Sequence, residues 1–366
     1  MAKYSYQQLK SKYNGFIDGC AEIDIEGFDV MDKFVVKGLT VQLTAQYEAS
    51  YAQFTVFEGF VRDGDGYAME PTLARKLKTG SAVCISLGYG DSMSEVFEGY
   101  IDSVQVEYSY GYGFSITVTC LDGKGMMMNS YRSEIKTNRK RYSDAVRDTL
   151  GRYSDVISGS KIDPTDDLEL PFSQLNESDY DFVVRLAKRV NYGFYILKGK
   201  AYFVPWGSDR TDLITISPEA DIISFSMESS LRRRFSKVTV VSNDEKDEKN
   251  RITGTASSVT ALESGGMSGG SARAVTSDMT KTIVDPSATT GEIARTIAQA
   301  ELDRQSYASV EGNVEIGGMP ELFPGAFMKL SGFGSSFEKS YYIKKVIHRL
   351  VGDRFTTAVE LGGNIV

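Results

Sequence analysis

The feature that most constrains the fold is a series of short segments within residues 19–123 in which apolar and polar residues alternate. Alternation puts every second side chain on one face, as in a strand with one face buried. Glycine-rich turns separate the segments, and about 100 residues of this pattern predict a closed or nearly closed β-barrel. The segments are Phe34–Val36, Leu39–Ala45, Ala52–Phe57, Val83–Leu87, Val96–Val106 and Phe114–Cys120.

Over residues 124–220, helical patterns alternate with short apolar segments, and this combination predicts a small α/β unit. A short helix is expected there with Ser143 as its N-cap and Gly151 as its end. A hairpin is expected further along, where two short apolar segments flank Lys198 and Gly199.

The strongest helical pattern in the chain follows Ser178, which is the predicted N-cap. Acidic residues lead and basic residues trail, as the helix dipole favours, and Gly193 is the predicted end. An apolar stripe at helical spacing predicts one buried face. It comprises Phe182, Val183, Leu186, Ala187 and Val190.

A polar, glycine-rich tract over about 242–290 interrupts the returning strand pattern. It has little apolar surface with which to fold alone, so we expect a mobile insertion. A helix is expected from about Thr290 to Tyr307, followed by strands to the last residue. The predicted domains are a first β-barrel at 1–123, an α/β insert at 124–220, and a second β-barrel at 221–366 that carries the insertion.

The first and last regions resemble each other, which suggests an internal repeat. Alternatively, two unrelated β-domains share turn chemistry by chance. If the repeat is real, a threefold ring of chains presents six similar barrels and adapts a threefold object to a sixfold one. The matched features are Leu77–Gly80 with Leu322–Gly325, Gly88–Gly90 with Gly332–Gly334, Tyr100, Ile101 and Val104 with Tyr342, Ile343 and Val346, and Phe114–Val118 and Leu121 with Phe355–Val359 and Leu361.

Composition excludes several functions. A net charge of −8 argues against stable nucleic-acid binding, because phosphate recognition needs a basic face. The three cysteines are too few and too far apart for a disulfide framework or a zinc site. No apolar stretch reaches membrane-spanning length and the start lacks secretory-signal features, so assembly in a cytoplasm without membrane insertion is expected.

Candidate sites are weak, and we predict no catalytic, cofactor-binding or metal-ligating residue and no cofactor. His348 is the only histidine, no Gly-x-Ser-x-Gly motif accompanies it, and a structural role is favoured. Asp63 and Asp65 resemble the start of a calcium loop, but Ala74 stands where such a loop needs an acid. The other candidates are Gly88–Asp91 as a phosphate loop, for which a hairpin turn suffices, and Arg232–Arg234, which either pair with an acidic neighbour, line a lumen or form a solvated strand edge. The carboxylates Asp163, Asp166, Asp167 and Glu169 indicate no acid/base pair.

Three stretches make the chain similar to the tail-hub family of contractile phages, bacteriocins and related injection systems. That family includes the late control protein D group and the hub portion of type VI spike proteins. The stretches are Gln174–Gly193, the helix Glu292–Leu302, and Gly312–Leu361 with Pro324, Gly325, Tyr342, Val346 and His348.

The resemblance implies an α+β, mainly β chain in which two tube-protein-like β-barrels flank a small α/β domain. It implies a non-enzymatic homotrimer that forms a pseudo-sixfold ring in a phage tail or tail-like particle. The ring joins the hexameric tail tube to the central spike, and tape-measure and baseplate wedge proteins are further partners. Many relatives continue into a spike after the second barrel, so a separate spike protein is expected here.

Two other functions stay open at this point. One is a tube-terminator or baseplate adaptor built from the same barrels. The other is a carbohydrate-active enzyme, since aromatic residues make up 11% of the chain and can stack on sugars.

Overall fold

The computed structural model describes residues 2–136, 140–166, 172–230, 235–243, 251–260, 262, 279–334 and 336–364. Its fold is α+β and mainly β, as predicted. None of the helices in the described part of the chain has the length and apolar character that a membrane crossing requires.

The N-terminal third contains eight strands and two short helices. They are α1 (Tyr6–Lys12), β1 (Gly19–Ile25), β2 (Val35–Thr44), β3 (Tyr51–Phe57), β4 (Phe60–Asp63), β5 (Gly66–Met69), α2 (Pro71–Lys76), β6 (Ala82–Tyr89), β7 (Ser92–Ser109) and β8 (Gly113–Leu121).

The middle of the chain alternates helices and strands, and we call residues 123–205 the middle unit. Its elements are α3 (Gly123–Met128), β9 (Tyr131–Lys136), α4 (Tyr142–Leu150), a 3₁₀ turn (Gly151–Tyr153), β10 (Gly159–Ile162), β11 (Phe172–Ser178), α5 (Asp179–Val190), β12 (Tyr192–Leu197) and β13 (Lys200–Pro205).

The remaining residues return to strands, with one long helix. The elements are β14 (Asp212–Ile216), β15 (Ser224–Ser229), β16 (Lys237–Asn243), β17 (Arg251–Ala256), β18 (Thr280–Val284), α6 (Gly291–Ser306), β19 (Val310–Gly317), β20 (Phe327–Leu330), β21 (Ser340–Val351) and β22 (Arg354–Gly363). β14 starts within the interval predicted for the α/β domain and pairs with β20.

One 12-stranded sheet unites the two ends of the chain, and it consists of two halves with the same strand order. The N-terminal module runs β1-β6-β7-β8-β3-β2, and the C-terminal module runs β14-β20-β21-β22-β19-β15. Numbered within each module, both orders are 1-4-5-6-3-2. The modules differ at one edge, since β1 pairs with β6 antiparallel whereas β14 pairs with β20 parallel.

Corresponding turns have the same backbone geometry in both modules. Gly80 has φ +91° and donates its N–H to the carbonyl of Ile101 at 2.8 Å. Gly325 has φ +94° and donates to the carbonyl of Ile343 at 2.9 Å. Glycine adopts this left-handed region without the penalty of a Cβ, which explains the residue type at both turns.

A β-bulge immediately follows each of these isoleucines. The pairing of β7 with β8 shifts register after Ile101, and that of β21 with β22 shifts after Ile343. Ile101 lies opposite Cys120 and Ile343 opposite Leu361, so Cys120 is the counterpart of Leu361. The predicted match of Leu121 with Leu361 is therefore wrong by one residue, although the repeat itself is present.

The modules differ in what is inserted between corresponding strands. β4, β5 and α2 lie between β3 and β6, whereas a short connection joins β19 to β20. Conversely, a short loop joins β2 to β3, whereas β16, β17, β18 and α6 lie between β15 and β19.

The inserted segment corrects the prediction for residues 242–290. Two parts of this tract, β17 and β18, are strands on either side of β16. They lack the surface to fold alone, but the sheet packs on α6 and buries an apolar cluster with it. The cluster comprises Val238, Val240, Ala256, Ala288, Ala294, Ala298 and Leu302. Residues 244–250, 261 and 263–278 lie outside the described ranges.

The middle unit has its own core, formed mainly by α4, α5 and β12. Ser178 caps α5 as predicted, because its hydroxyl accepts from the N–H of Asp181 at 3.0 Å. Asn191, with φ +56°, and not Gly193, ends this helix. Ser143 lies inside α4 and exchanges hydrogen bonds with Thr165, so its predicted role as N-cap is wrong.

Candidate assembly interface

The two modules meet where β2 pairs antiparallel with β21, and we call this pairing the seam. It runs from Leu39 opposite Leu350 to Thr44 opposite Lys345. The apolar side chains on one face of the seam are almost fully buried and belong to the main core. They are Leu39, Val41 and Leu43 on β2, and Val346 and Leu350 on β21. Each module therefore extends the sheet of the other.

His348 lies in this seam, opposite Val41, and is fully buried. Its Nδ1 lies 2.9 Å from the hydroxyl of Thr357 on β22. Burial lowers the pKa of His348 to about 3, because the charged form loses its hydration. The imidazole is therefore neutral at physiological pH and packs in the sheet.

One end of the seam carries an ion pair. Lys345 Nζ lies 3.1 Å from a carboxylate oxygen of Glu48, just beyond β2. Burial alone would raise the pKa of Glu48, but the hydrogen bond and charge of Lys345 keep that pKa below its usual value. Glu48 therefore stays charged at neutral pH. Its ion pair with Lys345 favours the observed register of β2 on β21.

Among the described residues, the strand edges of the 12-stranded sheet that have no neighbouring strand include those of β15 and of the second half of β7. β15 pairs on one side with β19, and its other side ends the sheet. Residues 103–109 of β7 pair with β8 on one side, while β6 ends opposite Tyr100 on the other. Unpaired edges expose a row of backbone N–H and C=O groups that can accept another strand.

Both free edges carry partly exposed apolar side chains. Phe225 and Met227 alternate with polar residues on β15 and are half-buried. On β7, Val106 is 45% exposed and Tyr108 is 62% exposed. Such side chains beside unpaired backbone are typical of a surface that is covered in an assembly.

An aromatic cluster lies at the hairpin between β7 and β8. Phe114 stacks on Phe60 with ring centroids 4.3 Å apart, and Tyr67 and Tyr108 contact the same ring at 5.4 and 4.9 Å. These contacts hold the β4–β5 hairpin against Phe114 of β8, which Tyr108 of β7 also contacts.

A buried carboxylate holds the middle unit together. Asp179, the first residue of α5, accepts hydrogen bonds from Tyr153 at 2.7 Å, Gln174 at 2.9 Å and Arg132 at 3.2 Å. Burial opposes the charge, but these donors and the nearby Arg152 keep the pKa of Asp179 below its usual value. The site is an ion-pair network that fixes α5 on its neighbours.

A second buried pair joins the N-terminal module to the middle unit. Asp122 caps α3 through the N–H of Lys124 at 3.0 Å and accepts from the N–H of Ser50 at 2.9 Å. The Lys124 ammonium is fully buried beside it and donates to the carbonyl of Glu48. Burial raises the pKa of Asp122 and lowers that of Lys124.

The sequence candidates for chemistry do not converge in the structure. Asp63 and Asp65 lie at the β4–β5 hairpin. In Gly88–Asp91, the first two residues end β6, and Gly90 and Asp91 form the turn into β7. Within the described ranges, no three His, Cys, Asp or Glu side chains are placed to hold a metal ion. Arg232–Arg234, Asp167 and Glu169 lie outside the described residues, while Asp163 and Asp166 flank the loop after β10.

A cavity of about 280 Å³ lies beside Trp206 and Tyr307, near the junction of the middle unit and the C-terminal module. Its described lining includes one carboxylate, Glu311, which is paired with Lys344 at 2.6 Å. Glycoside hydrolysis ordinarily uses two facing carboxylates, and this cavity does not provide such a pair.

Sequence reasoning missed the seam and the buried pairs. No local pattern shows that β2 pairs with β21, because these strands are about 300 residues apart in the chain. Asp179 lies in the acidic first turn of the helix predicted after Ser178, but its ion pairs are with Arg132 and Arg152 from other elements.

Comparison with known proteins gives a family and a fold. Residues 19–352 match the model of a family described as the Alg8 N-terminal domain. No match is found among the curated proteins.

The fold is shared with tail proteins of phages and prophages. The 43 kDa tail protein of prophage MuSo2 from Shewanella oneidensis is 13% identical, with a TM-score of 0.71 over 94% of this chain and 98% of that one. A tail protein from Neisseria meningitidis MC58 is 12% identical, with a TM-score of 0.67 over 94% and 96%.

A protein of a secretion system has the same fold at a lower score. The E. coli protein c3393, described as a component of the type VI secretion system similar in structure to T4 bacteriophage tail proteins gp27 and gp5, is 14% identical. Its TM-score is 0.57 over 93% of this chain and 76% of that one. The similarity to tail-hub proteins noted in the sequence is confirmed at the level of the fold.

Proposed function

The chain belongs to the Alg8 N-terminal domain family, and from its tail-protein fold we propose that it is the structural hub of a contractile tail or injection particle. Three copies form a closed ring that presents six similar modules to the hexameric tail tube. The other face of the ring holds the central spike.

The observation that carries this proposal is the duplicated module. Each chain contains two six-stranded modules with the same strand order, the same glycine turn and the same bulge. A ring of three such chains has near-sixfold symmetry at the level of modules. A hexameric tube needs six equivalent docking positions, and this ring provides them without six copies of the chain.

The role is architectural and not catalytic. The buried carboxylates of Asp122 and Asp179 accept hydrogen bonds from neighbouring residues, and these contacts stabilise the fold. His348 is neutral and enclosed in the sheet. With a net charge of −8, the ring repels a polyanion passing along its axis, which favours a conduit over a nucleic-acid clamp.

The mass of the purified chain tests the proposal. Native mass spectrometry at micromolar concentration is expected to show a species of three times 40.3 kDa. Addition of the particle's tube protein is expected to give a complex with six tube subunits for each three copies of the chain. A monomer that neither tube nor spike protein converts to a trimer would overturn the hub assignment.

A further inference from the structure

The cavity of about 280 Å³ beside Trp206 lies where three parts of the chain meet. Among its lining residues, Tyr47 follows β2, Lys188 lies in the last turn of α5, and Arg304 lies in the last turn of α6. Its volume is below the range of about 300–1,000 Å³ that is typical of pockets for drug-sized ligands. The cavity therefore suits a single side chain better than a cofactor.

Aromatic rings form much of the wall of this cavity. The indole of Trp206 contacts Tyr47 with ring centroids 6.2 Å apart. Tyr307 and Tyr342 contact the same indole, with centroids 5.8 and 5.3 Å away. The hydroxyl of Tyr47 donates to the main-chain carbonyl of Tyr192 at 3.0 Å, which fixes its ring. The rings are thus in place before a ligand binds, which lowers the entropic cost of binding.

The described lining of the cavity includes three positively charged side chains, Lys188, Arg304 and Lys344. The Lys344 ammonium is paired with Glu311, and the Arg304 guanidinium with Glu301. Lys188 has no such partner in the described part of the chain, where none of the ion pairs includes it. A cationic cavity is unexpected in a chain of net charge −8, and it indicates a site for an anion.

Lys188 and Arg304 are held near each other although their charges repel. The guanidinium of Arg304 donates to the main-chain carbonyl of Lys188 at 2.8 Å, which ties the end of α6 to the end of α5. Burial lowers the pKa of Lys188, and the positive charge of Arg304 lowers it further. An anion bound beside the two side chains relieves this repulsion.

We propose that this cavity binds the carboxylate of an aspartate or glutamate side chain that a partner protein presents. Lys188 and Arg304 contact the carboxylate, because charge-assisted hydrogen bonds are stronger than neutral ones. The rings of Tyr47 and Trp206 contact the methylene groups of the same side chain. The inference rests on the proposed function, since it specifies one contact that joins the chain to another protein of the particle.

The lining favours a carboxylate over a phosphate. Glu311 belongs to the wall and repels an incoming anion, although Lys344 compensates part of its charge. A phosphate group carries about −1.5 to −2 charges near pH 7 and is repelled more strongly than a carboxylate. A phosphate also has no methylene groups to pack on the rings. The combination of cations and aromatic walls therefore fits an acidic side chain.

Fluorescence of Trp206 tests binding directly, because it is the only tryptophan and lines the cavity. The probe is N-acetyl-glutamate amide, and the matched control probe is N-acetyl-glutamine amide, which has the same shape without the charge. We expect a saturable change with the glutamate probe, with a Kd in the millimolar range, and none with the glutamine probe. Sodium chloride keeps the ionic strength constant throughout each titration.

Two lysine variants test the position of the site. Lys188→Gln changes an exposed side chain, so folding is preserved, and it is expected to weaken binding of the glutamate probe about fivefold. The matched control is Lys200→Gln. The Lys200 ammonium lies 5.6 Å from the ring centroid of Tyr202, much as that of Lys188 lies 5.1 Å from that of Tyr47, but Lys200 is not part of the lining. This control is expected to bind the probe as the wild type does.

Cross-linking in purified particles identifies the source of the carboxylate. A water-soluble carbodiimide joins a lysine to a carboxylate by an amide bond only when the two groups are in contact. Mass spectrometry of digested particles is expected to show Lys188 joined to an aspartate or glutamate of another protein. Lys200 is expected to show no such product, and particles that carry Lys188→Gln should lack it.

The outcomes separate this inference from the proposed function. Equal binding of the two probes, or no effect of Lys188→Gln, overturns the site. Tighter binding of inorganic phosphate than of the glutamate probe assigns the cavity to a free anion and overturns the acidic side chain. Particles in which Lys188 is joined to Glu311 of its own chain, or to nothing, overturn the partner contact. In each case a trimer that binds the tube protein leaves the hub assignment standing, whereas a chain that stays monomeric overturns that assignment whatever the probes show.

Discussion

Replacing Asp179 by Asn tests whether the buried carboxylate stabilises the middle unit. The carboxylate is fully buried and accepts from Tyr153, Gln174 and Arg132, with Arg152 Nη1 at 3.3 Å. Asparagine has the shape of aspartate but carries no charge. Its NH₂ group would face hydrogen-bond donors at the position where a carboxylate oxygen accepts from them in the wild type. At least one buried donor is then left without its partner.

The magnitude follows from the number and exposure of these partners. Removing one member of a buried ion pair costs about 3–5 kcal/mol. The side chains of Arg132 and Arg152 are 41% and 27% exposed, so water solvates them in part when the charge of Asp179 is lost. We therefore expect a loss at the lower end, about 3 kcal/mol in the free energy of unfolding.

The loss depends on pH in a defined direction. The native pKa of Asp179 lies below its ordinary value of 3.8, so the folded state favours the charged form. The stabilisation is fully present above about pH 4 and disappears as pH falls through the native pKa. The difference between wild type and Asp179→Asn should be constant from pH 7 to pH 5 and shrink below pH 4.

Urea unfolding followed by tryptophan fluorescence measures the effect. Trp206 is the only tryptophan and packs on Tyr307 and Tyr342, directly after the last strand of the middle unit. The matched control is Asp144→Asn, which removes an exposed pair with Arg147 and should cost less than about 0.5 kcal/mol. A loss for Asp179→Asn no larger than for this control would refute the reasoning.

Two further predictions concern the sheet. NMR of the single histidine, His348, should show no titration between pH 8 and pH 5, because its pKa is about 3; a midpoint near 6.5 would mean that the ring is solvated. Gly80→Ala and Gly325→Ala should both lower the thermal midpoint, since both glycines have φ above +90° and left-handed strain costs about 1–2 kcal/mol. The loss should be larger at Gly325, where a Cβ would lie 2.7 Å from the hydroxyl of Tyr195, than at Gly80, where it meets open space. Equal losses would contradict this.

The sequence predicts features that depend on neighbours along the chain. Alternation identifies strands such as β3 and β8, because one face of each strand is buried in the core. The hydroxyl of Ser178 is recognisable as a cap because it needs only an N–H three residues later. The internal repeat is visible because Gly80 and Gly325 are both required by a left-handed turn.

Features that depend on distant partners could not be predicted. Ser143 has the residue type of an N-cap, but Thr165 from a later loop satisfies it inside the helix. Asn191 ended α5 before the more obvious Gly193, since a left-handed Asn satisfies the same geometry. β17 and β18 have little apolar surface of their own. Their sheet is stabilised because it packs against the apolar face of α6.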